Sequence, residues 1–566
     1  FGSSRPCIRT GRDFLARQGE RAMELSLARA ASVALLAGFL CRSIATPSGL
    51  DAIRVDPSSG HFVDRHGRVR IFHGVNVVYK KEPWFPPSDK FDATDSLDNK
   101  TMDLLRAWGF NVVRLGVMWP GVEPEPGRID RAYLGEIARL ASALAERGVY
   151  TIADLHQDLG SRRFCGEGFP EHYVDALLAD PGSALSKASA FPSPLPFELA
   201  VNSTTGYPVL ADCLRHEFAE WYVTEQVGAL WKELYTPGSN LNEGFMRYWS
   251  AVSETFAQGA PHVLAYELLN EPSGFCLGGD LGSCVRHNPL KDNWLENKML
   301  TPLYDAAAAA IRSKDPARPV LFQPSPVPKL VPGAALFPEP PLGNDSQKGL
   351  AYHIYCAPGD GDSYVSGLVC REAQDLQAST YFGYLKERRG TAGFMTEMGA
   401  IGGSPAELEH LSRLLDLADG AFQSWAYWQL KVYQDFTTAN SAESLFDPEG
   451  NLEVEKLRAL SRTYAQAIAG DPEVMTFDAE TAAFELRFNA TVASAPTEIY
   501  LNRQLHYPHG HSLQIEPEGC LRLASAEEDS LVLLMLDSAQ PSCMHSMMRV
   551  RIIANATDKG PVSMLV

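Results

Sequence analysis

The sequence predicts an α/β fold, an eight-stranded (β/α)8 barrel followed by a small all-β sandwich, and three observations point to it. From about residue 50 to residue 465, short β-branched or aliphatic runs alternate with helix-period segments, the pattern of parallel strands joined by crossover helices. After Tyr464 the pattern changes to short strands separated by turn residues. At 566 residues the chain also exceeds what one hydrophobic core usually serves. The expected division is a leader over 1–48, a catalytic barrel over 49–466 and a sandwich over 467–566.

Residues 1–22 contain no methionine; then Met23-Glu24-Leu25-Ser26-Leu27-Ala28-Arg29 leads into the apolar stretch Ala30 to Leu40. Eleven apolar residues are too few to span a bilayer, and Ser43-Ile44-Ala45 offers small residues for cleavage. A signal peptide is therefore expected, with residues 1–22 as an upstream extension of the reading frame. The alternative, a buried helix, fits poorly with the breaker cluster Thr46-Pro47-Ser48-Gly49 that follows.

Eight barrel strands are expected at Ile71–Asn76, Asn111–Leu115, Val149–Asp154, Val263–Asn270, Pro319–Gln323, Gly349–Tyr355, Gly393–Glu397 and Gln423–Trp428. Helical spacing falls between them, as in Asp130–Arg147 and in the alanine-rich Leu303–Arg312. The stretch Leu159–Asn240 is too long for a simple connection and carries breakers together with Phe164, Phe169, Tyr207, Trp221 and Tyr222. Long loops after barrel strands sit at the catalytic face, so an insertion with helices of its own, shaping the substrate cleft, is expected. In the sandwich, Ala483–Asn489, Glu498–Leu501, Leu531–Leu536 and Arg549–Ala554 read as strands. No catalytic set occurs there; a structural appendage is expected, with carbohydrate binding as the alternative.

Composition is that of an ordinary globular protein, 45% apolar and 21% charged, with 9 Trp, 20 Tyr and 26 Phe to build a core. A net charge of −19 without a basic run argues against nucleic acid as a partner. Five N-x-S/T sequons, at Asn99, Asn202, Asn344, Asn489 and Asn555, support secretion. Setting aside Cys7 and Cys41 in the leader leaves eight cysteines, an even number in a chain bound for an oxidising compartment. Connectivity is not written in a sequence. Short loops nevertheless suggest Cys276–Cys284, Cys356–Cys370 and Cys520–Cys543, leaving Cys165 with Cys213. No CxxC or Cys/His spacing suggests zinc.

The chemistry is carried by two strand ends. Asn270-Glu271-Pro272 and Thr396-Glu397-Met398-Gly399 each close a buried strand with a glutamate and then a residue that stops or bends the chain. Two carboxylates delivered this way are what acid/base hydrolysis of a glycosidic bond requires. Because functional residues of a barrel come from the C-terminal ends of its strands, the other ends were read for polar groups: Asn76, Arg114, His156 with Gln157 and Asp158, His353, Tyr355 and Trp428. A lone histidine or arginine is usually structural; polar groups at most of the strand ends are not.

These residues resemble glycoside hydrolase family 5. More narrowly, Val113-Arg114-Leu115-Gly116-Val117-Met118-Trp119-Pro120-Gly121-Val122-Glu123-Pro124, Asp154-Leu155-His156-Gln157-Asp158 and Arg163-Phe164-Cys165-Gly166-Glu167-Gly168 are similar to endoglycoceramidases. The resemblance implies a retaining mechanism with Glu271 as general acid/base and Glu397 as nucleophile. Glu271 is then expected to have a raised pKa, and Arg114 and Tyr355 to hold Glu397 charged and oriented. Asn270 is expected to bond the sugar 2-hydroxyl and Trp428 to floor the sugar ring, with His156, Asp158 and Lys80 as hydroxyl contacts.

The substrate implied is a glycosphingolipid cut between glycan and ceramide, with possible contact to a membrane surface or micelle. Trp84-Phe85-Pro86-Pro87, Phe164 and Phe169 are candidates for an apolar rim. Alternatives are a glucosylceramidase or steryl-glucosidase of the same fold, a secreted endo-polysaccharidase, or a catalytically dead glycan- or lipid-binding module. The last predicts loss of a carboxylate or of its partners, and all of them are present. No metal or organic cofactor is implied, a monomer is expected, and secretion leads outside the cell, to a digestive lumen or to a lysosome-like compartment.

Overall fold

The computed structural model describes residues 49–555 apart from 258–259, 261, 278–281, 283–292, 327–335, 357–363, 438–442, 493, 525–529 and 538. The expected leader, residues 1–48 with its signal peptide, lies outside the described residues. Eight parallel strands close into a barrel: β1 (His73–Val77), β2 (Val112–Gly116), β3 (Tyr150–Asp154), β4 (Val263–Glu267), β5 (Val320–Phe322), β6 (Lys348–Ile354), β7 (Ala392–Gly399) and β8 (Ser424–Trp428). They pair in chain order and β8 returns to β1, with Trp425 opposite His73.

All residues of β1 to β5 and β8 are buried. Burial on both faces is why these strands read as continuous apolar runs rather than as alternation. Strand β4 is shorter than the expected Val263–Asn270, because its ladder ends at Glu267. The chain stays tied to the barrel beyond that point: the Leu268 N–H donates to the Leu321 carbonyl and the Asn270 N–H to the Leu155 carbonyl. That tether carries Glu271 to the mouth.

The helix expected over Asp130–Arg147 runs Arg131–Ala145, and Asp130 is its N-cap, accepting from the Ala132 and Tyr133 N–H groups. Between β3 and β4 the insertion contains the helices Glu171–Ala179, Ala184–Lys187, Leu210–Cys213 and Glu225–Tyr235. The disulfide Cys165–Cys213 ties the start of the insertion to the short helix Leu210–Cys213. Cys356–Cys370 and Cys520–Cys543 are also paired as the short loops suggested. The Cys276–Cys284 pairing involves Cys284, which lies outside the described residues.

The sandwich packs two sheets. One holds Gly470–Asp478, Ala483–Ala490, Met547–Ala554 and His511–Glu516, all antiparallel. The other is seven-stranded and includes Tyr464–Ile468, Thr497–Tyr500 and Leu531–Leu536. Strict alternation of buried and half-exposed residues in Ala483–Ala490 and Leu531–Leu536 sends one face of each strand into a common core with Phe484, Phe488, Leu534 and Ile552. Three short strands from the start of the described chain, Arg54–Val55, Phe62–Val63 and Val69–Arg70, join this same seven-stranded sheet by pairing with Tyr464–Ile468. The expected boundary between 466 and 467 thus falls inside a strand. No described helix is long and apolar enough to cross a membrane.

Candidate active site

Arg114, at the third position of β2, is fully buried. An arginine there survives only because every donor is taken. Its Nε donates to Glu267 Oε2 at 2.7 Å, Nη1 to Asn76 Oδ1 at 3.0 Å and Glu397 Oε1 at 2.6 Å, and Nη2 to Asn270 Oδ1 at 2.8 Å and Glu267 Oε1 at 3.1 Å. Asp154 Oδ1 is a further 3.0 Å neighbour of Nη2. One guanidinium therefore faces three carboxylates. Burial, opposed by the Arg114 charge, pushes the Glu267 carboxyl up to about 7, which lessens the excess of negative charge around the one guanidinium.

Glu397 receives a second bond, from the Tyr355 hydroxyl to Oε2 at 2.8 Å. His353 Nδ1 stands between the two strand-end glutamates, 2.7 Å from Glu271 Oε1 and 3.3 Å from Glu397 Oε2. Burial pulls the His353 imidazole down to about 4, so it is neutral near neutral pH. A carboxylate oxygen of Glu271 and one of Glu397 lie within 4.8 Å of each other.

Glu271 itself is held in an unusual backbone. Its φ of 40° is in the left-handed region, which costs a non-glycine residue roughly 1–3 kcal/mol unless its surroundings fix it. Here the Glu271 N–H donates to Gln323 Oε1 at 2.8 Å, and Gln157 Nε2 donates to the carbonyls of Asn270 and Glu271 at 2.8 and 3.2 Å. Burial, and then the charge of Asp158, push the Glu271 carboxyl up to about 7. A carboxyl of that kind carries a proton it can give up near neutral pH.

A second cluster is fed by the loops after β1, β3 and β8. Lys80 Nζ meets Asp158 Oδ2 at 2.6 Å, Asp435 Oδ2 at 2.9 Å and Thr437 Oγ1 at 2.7 Å. His156 lies between Asp154 Oδ2, 2.9 Å from Nδ1, and Asp158 Oδ2, 3.7 Å from Nε2. Burial works against charge on this imidazole, but bonds to Asp154 and Asp158 overrule it and bring it up to about 10. For Asp158 the balance is the same: burial would raise it, yet the Lys80 and His156 charges hold it below the usual carboxylate range. The His156 ring stacks on Trp428, centroids 5.3 Å apart, and the Trp428 indole N–H donates to Glu443 Oε2 at 3.0 Å.

The two glutamates, Asn270, Tyr355 and part of the second cluster line one cavity of about 480 Å³, while Arg114, His353, Asp154 and Glu267 are buried outside its lining. Lys80, His156, Asp158 and Trp428 line it together with Asn270, Glu271 and Glu397; the loop and helix after β7 add Ile401, Leu411 and Leu414, and the insertion adds Phe218 and Ala219. A larger open groove of about 1280 Å³, where the helix Pro405–Gly420 meets the sandwich, contains none of these strand-end residues.

The structure brings together Asn270, Arg114, His353, Tyr355, Glu271 and Glu397 around the centre, with Lys80, His156, Asp158 and Trp428 beside them. Asn76 serves the framework: its Nδ2 donates to the Thr396 carbonyl at 3.0 Å while its Oδ1 accepts from Arg114. Two expected rim residues are not rim residues. Phe164 packs on Phe191 and Phe169 on Trp119 and Trp231, both nearly fully buried, because the insertion needs its own core. Trp84 and Phe85 are half-buried, and Trp84 packs in the cluster of Val78, Met118 and Trp428.

Residues the sequence reading passed over include Asp154, Glu267 and Thr396, whose hydroxyl donates to Glu267 Oε1 at 2.9 Å. A signal for two of them existed, since an acid inside a fully buried strand needs a partner. Asp435, Thr437 and Glu443 had none; they lie on the loop after β8, without periodicity or motif.

Residues 72–434 match the family described as Cellulase (glycosyl hydrolase family 5), and residues 462–550 match the glycoside hydrolase family 5 C-terminal domain. An endoglycoceramidase of Hydra vulgaris is 32% identical over 86% of this chain and 87% of its own length. An endoglycoceramidase of Cyanea nozakii is 30% identical over 85% of this chain and 90% of its own. Among solved structures, endo-glycoceramidase II from Rhodococcus sp. has the same fold, with a TM-score of 0.65 at 19% identity over 87% of this chain and 99% of that one. Matched along both its barrel and its sandwich, the chain belongs to glycosyl hydrolase family 5 and is an O-glycoside hydrolase.

Proposed function

We propose that this protein is a retaining glycosidase that hydrolyses the bond between the oligosaccharide and the ceramide of glycosphingolipids. One observation carries the reaction type: a carboxyl raised to about 7, that of Glu271, faces a second, that of Glu397, bonded to Arg114 and Tyr355, with oxygens of the two within 4.8 Å. Retention works with the carboxyl groups about 5–5.5 Å apart, whereas inversion needs about 6.5–9.5 Å to admit a water between them. The close pair fits retention.

In the first step Glu397 attacks the anomeric carbon and forms a glycosyl ester, while the ceramide oxygen leaves with the proton of Glu271. In the second, Glu271 takes a proton from a water that attacks the same carbon, and Glu397 departs as a carboxylate. Asn270 has one amide hydrogen on Gln157 O at 3.1 Å and its oxygen on Arg114. Its other amide hydrogen is left for the sugar 2-hydroxyl.

The substrate class is supported by the two characters of the cavity. Lys80, His156 and Asp158, beside the Trp428 ring, suit a sugar; Phe218, Ala219, Ile401, Leu411 and Leu414 suit a lipid. The relatives named endoglycoceramidase, at 30–32% identity over 85–86% of the chain, support the same reading. Incubation with lactosylceramide should release intact lactose and ceramide. Turnover of soluble aryl glycosides or cellulose with none of the lipid would sink the narrower claim.

We also infer passage through the secretory pathway. Three disulfides support it, and the sequon asparagines Asn99, Asn202, Asn344 and Asn555 are exposed while Asn489 is half-buried in a sandwich strand. A mass loss on enzymatic removal of N-glycans from protein made in a secretory host tests it; an unchanged mass argues against it.

A further inference from the structure

The motif Arg163-Phe164-Cys165-Gly166-Glu167-Gly168 sets one buried side chain against Asp158 and His156. Asp158 and Glu167 exchange both backbone bonds, at 2.9 and 2.6 Å, so they are directly opposed in an antiparallel bridge and their side chains leave on the same face. Neither glycine beside Glu167 tolerates a side chain. A Cβ on Gly166 would stand 2.0 Å from the Asp158 carbonyl oxygen, and one on Gly168, at φ 128°, 2.2 Å from the Gln157 Cβ. Cys165, at φ 61°, is anchored to Cys213. The turn can therefore hold Glu167 in one place.

The carboxyl held there is 2% exposed, and neither of its oxygens has a hydrogen-bond partner. It lies with a ring nitrogen of His156 and a carboxylate oxygen of Asp158 in a cluster whose atoms are all within 4.8 Å of one another. An unpartnered buried polar group destabilises the fold that holds it. Packing alone does not explain its presence.

We propose that Glu167 is a positioning residue for the sugar-binding half of the mouth, fixing Asp158 and His156 from behind and so setting affinity for the sugar. The proposal rests on the reading of Asp158 and His156 as sugar contacts. The charged groups around Glu167 are Asp158 and His156 from the β3 loop, Lys80 from the β1 loop, Asp435 from the β8 loop and Arg162 on its own hairpin. Lys80 already serves both Asp158 and Asp435. A third carboxylate would compete for the same ammonium. Burial, followed by the charge of Asp158, raises the Glu167 carboxyl well above the usual carboxylate range and so favours its protonated form. In that state it is an O–H donor beside an acceptor; without its proton it sets a second negative charge against Asp158 and draws Lys80 and His156 away from the sugar.

The test is kcat and KM from about pH 5 to about pH 9 for wild type, Glu167→Gln, Glu167→Ala and Asp158→Asn. An aryl lactoside serves as substrate, so the outcome does not depend on lipid recognition. Glu167→Gln should keep the wild-type KM at low pH and lack the rise in KM that wild type shows toward high pH. Glu167→Ala should raise KM about tenfold throughout, with kcat within about twofold of wild type. A wild-type KM in Glu167→Ala overturns the proposal, and so does a joint loss of kcat and thermal stability in Glu167→Gln, which marks a merely structural side chain. Asp158→Asn separates the two layers: an unchanged KM there removes the sugar-contact reading, whereas a raised KM beside an unaffected Glu167→Ala removes Glu167 alone.

Discussion

Arg114 and Glu397 meet at 2.6 Å through Nη1 and Oε1, while the remaining N–H groups of the same guanidinium are spent on Glu267, Asn76 and Asn270. The nucleophile candidate is thus positioned by a residue that is itself locked by three others. Removing one partner from a buried charge network costs about 3–5 kcal/mol. Arg114→Met should therefore lower the melting temperature as well as activity, and Thr396→Val, which removes one bond to Glu267, should cost about 1 kcal/mol and less activity. Thermal denaturation of both variants beside wild type checks the order.

The two glutamates should fail differently. Replacing a general acid typically costs about 10²–10⁴ in rate, and Glu271→Gln should recover much of that in kcat/KM, which reports the first step, on an aryl glycoside whose leaving group needs no proton, while its second step stays slow for want of the base. Glu397→Gln should stay inactive on both substrates, because no leaving group replaces a nucleophile. Equal recovery of both variants on the activated substrate would reverse or dissolve the assignment.

The pH profile follows from Glu271. Its carboxyl is raised to about 7 by burial and by Asp158, and the first step needs it protonated, so kcat/KM should fall as pH rises through about 7. Asp158→Asn removes the charge named as the second cause. That variant should move the alkaline limb to lower pH, since the carboxyl then ionises more easily. A limb that stays fixed or moves upward contradicts this account.

His156 makes a stability prediction. Its folded pKa, about 10, lies above the ordinary 6.5, with Asp154 and Asp158 outweighing burial. A raised pKa contributes stability that is fully present below about 6.5 and is lost as pH rises through about 10. Urea denaturation should show a gap between wild type and His156→Gln that narrows across that interval.

Much of this molecule was legible in its sequence, for identifiable reasons. Barrel strands are buried on both faces, so β2, β3 and β8 announce themselves as apolar runs; the sandwich strand Ala483–Ala490 does so through alternation. The strands Gly470–Asp478 and His511–Glu516 were not seen, since their patterns, with Pro472 in one and mostly exposed residues in the other, look like loop. By position Arg54–Arg70 belongs to the barrel domain, yet its last strand, Val69–Arg70, pairs with Tyr464–Ile468, more than 390 residues away along the chain. Pairing at that distance leaves no local trace. Phe164 and Phe169 carried the opposite error: aromatic residues in a long loop look available, and only packing tells which face they turn.

The sequence by itself determined the barrel, the sandwich and the two glutamates at strand ends, because hydrophobic period and chain-breaking residues are local properties. The tertiary structure decided how close Glu271 and Glu397 stand, what surrounds Arg114, and that Glu167 is buried without a partner behind Asp158. Those facts depend on groups from different strands meeting out of water, where burial and Coulomb interactions among neighbours distant in the chain set charge and orientation. No stretch of sequence contains them.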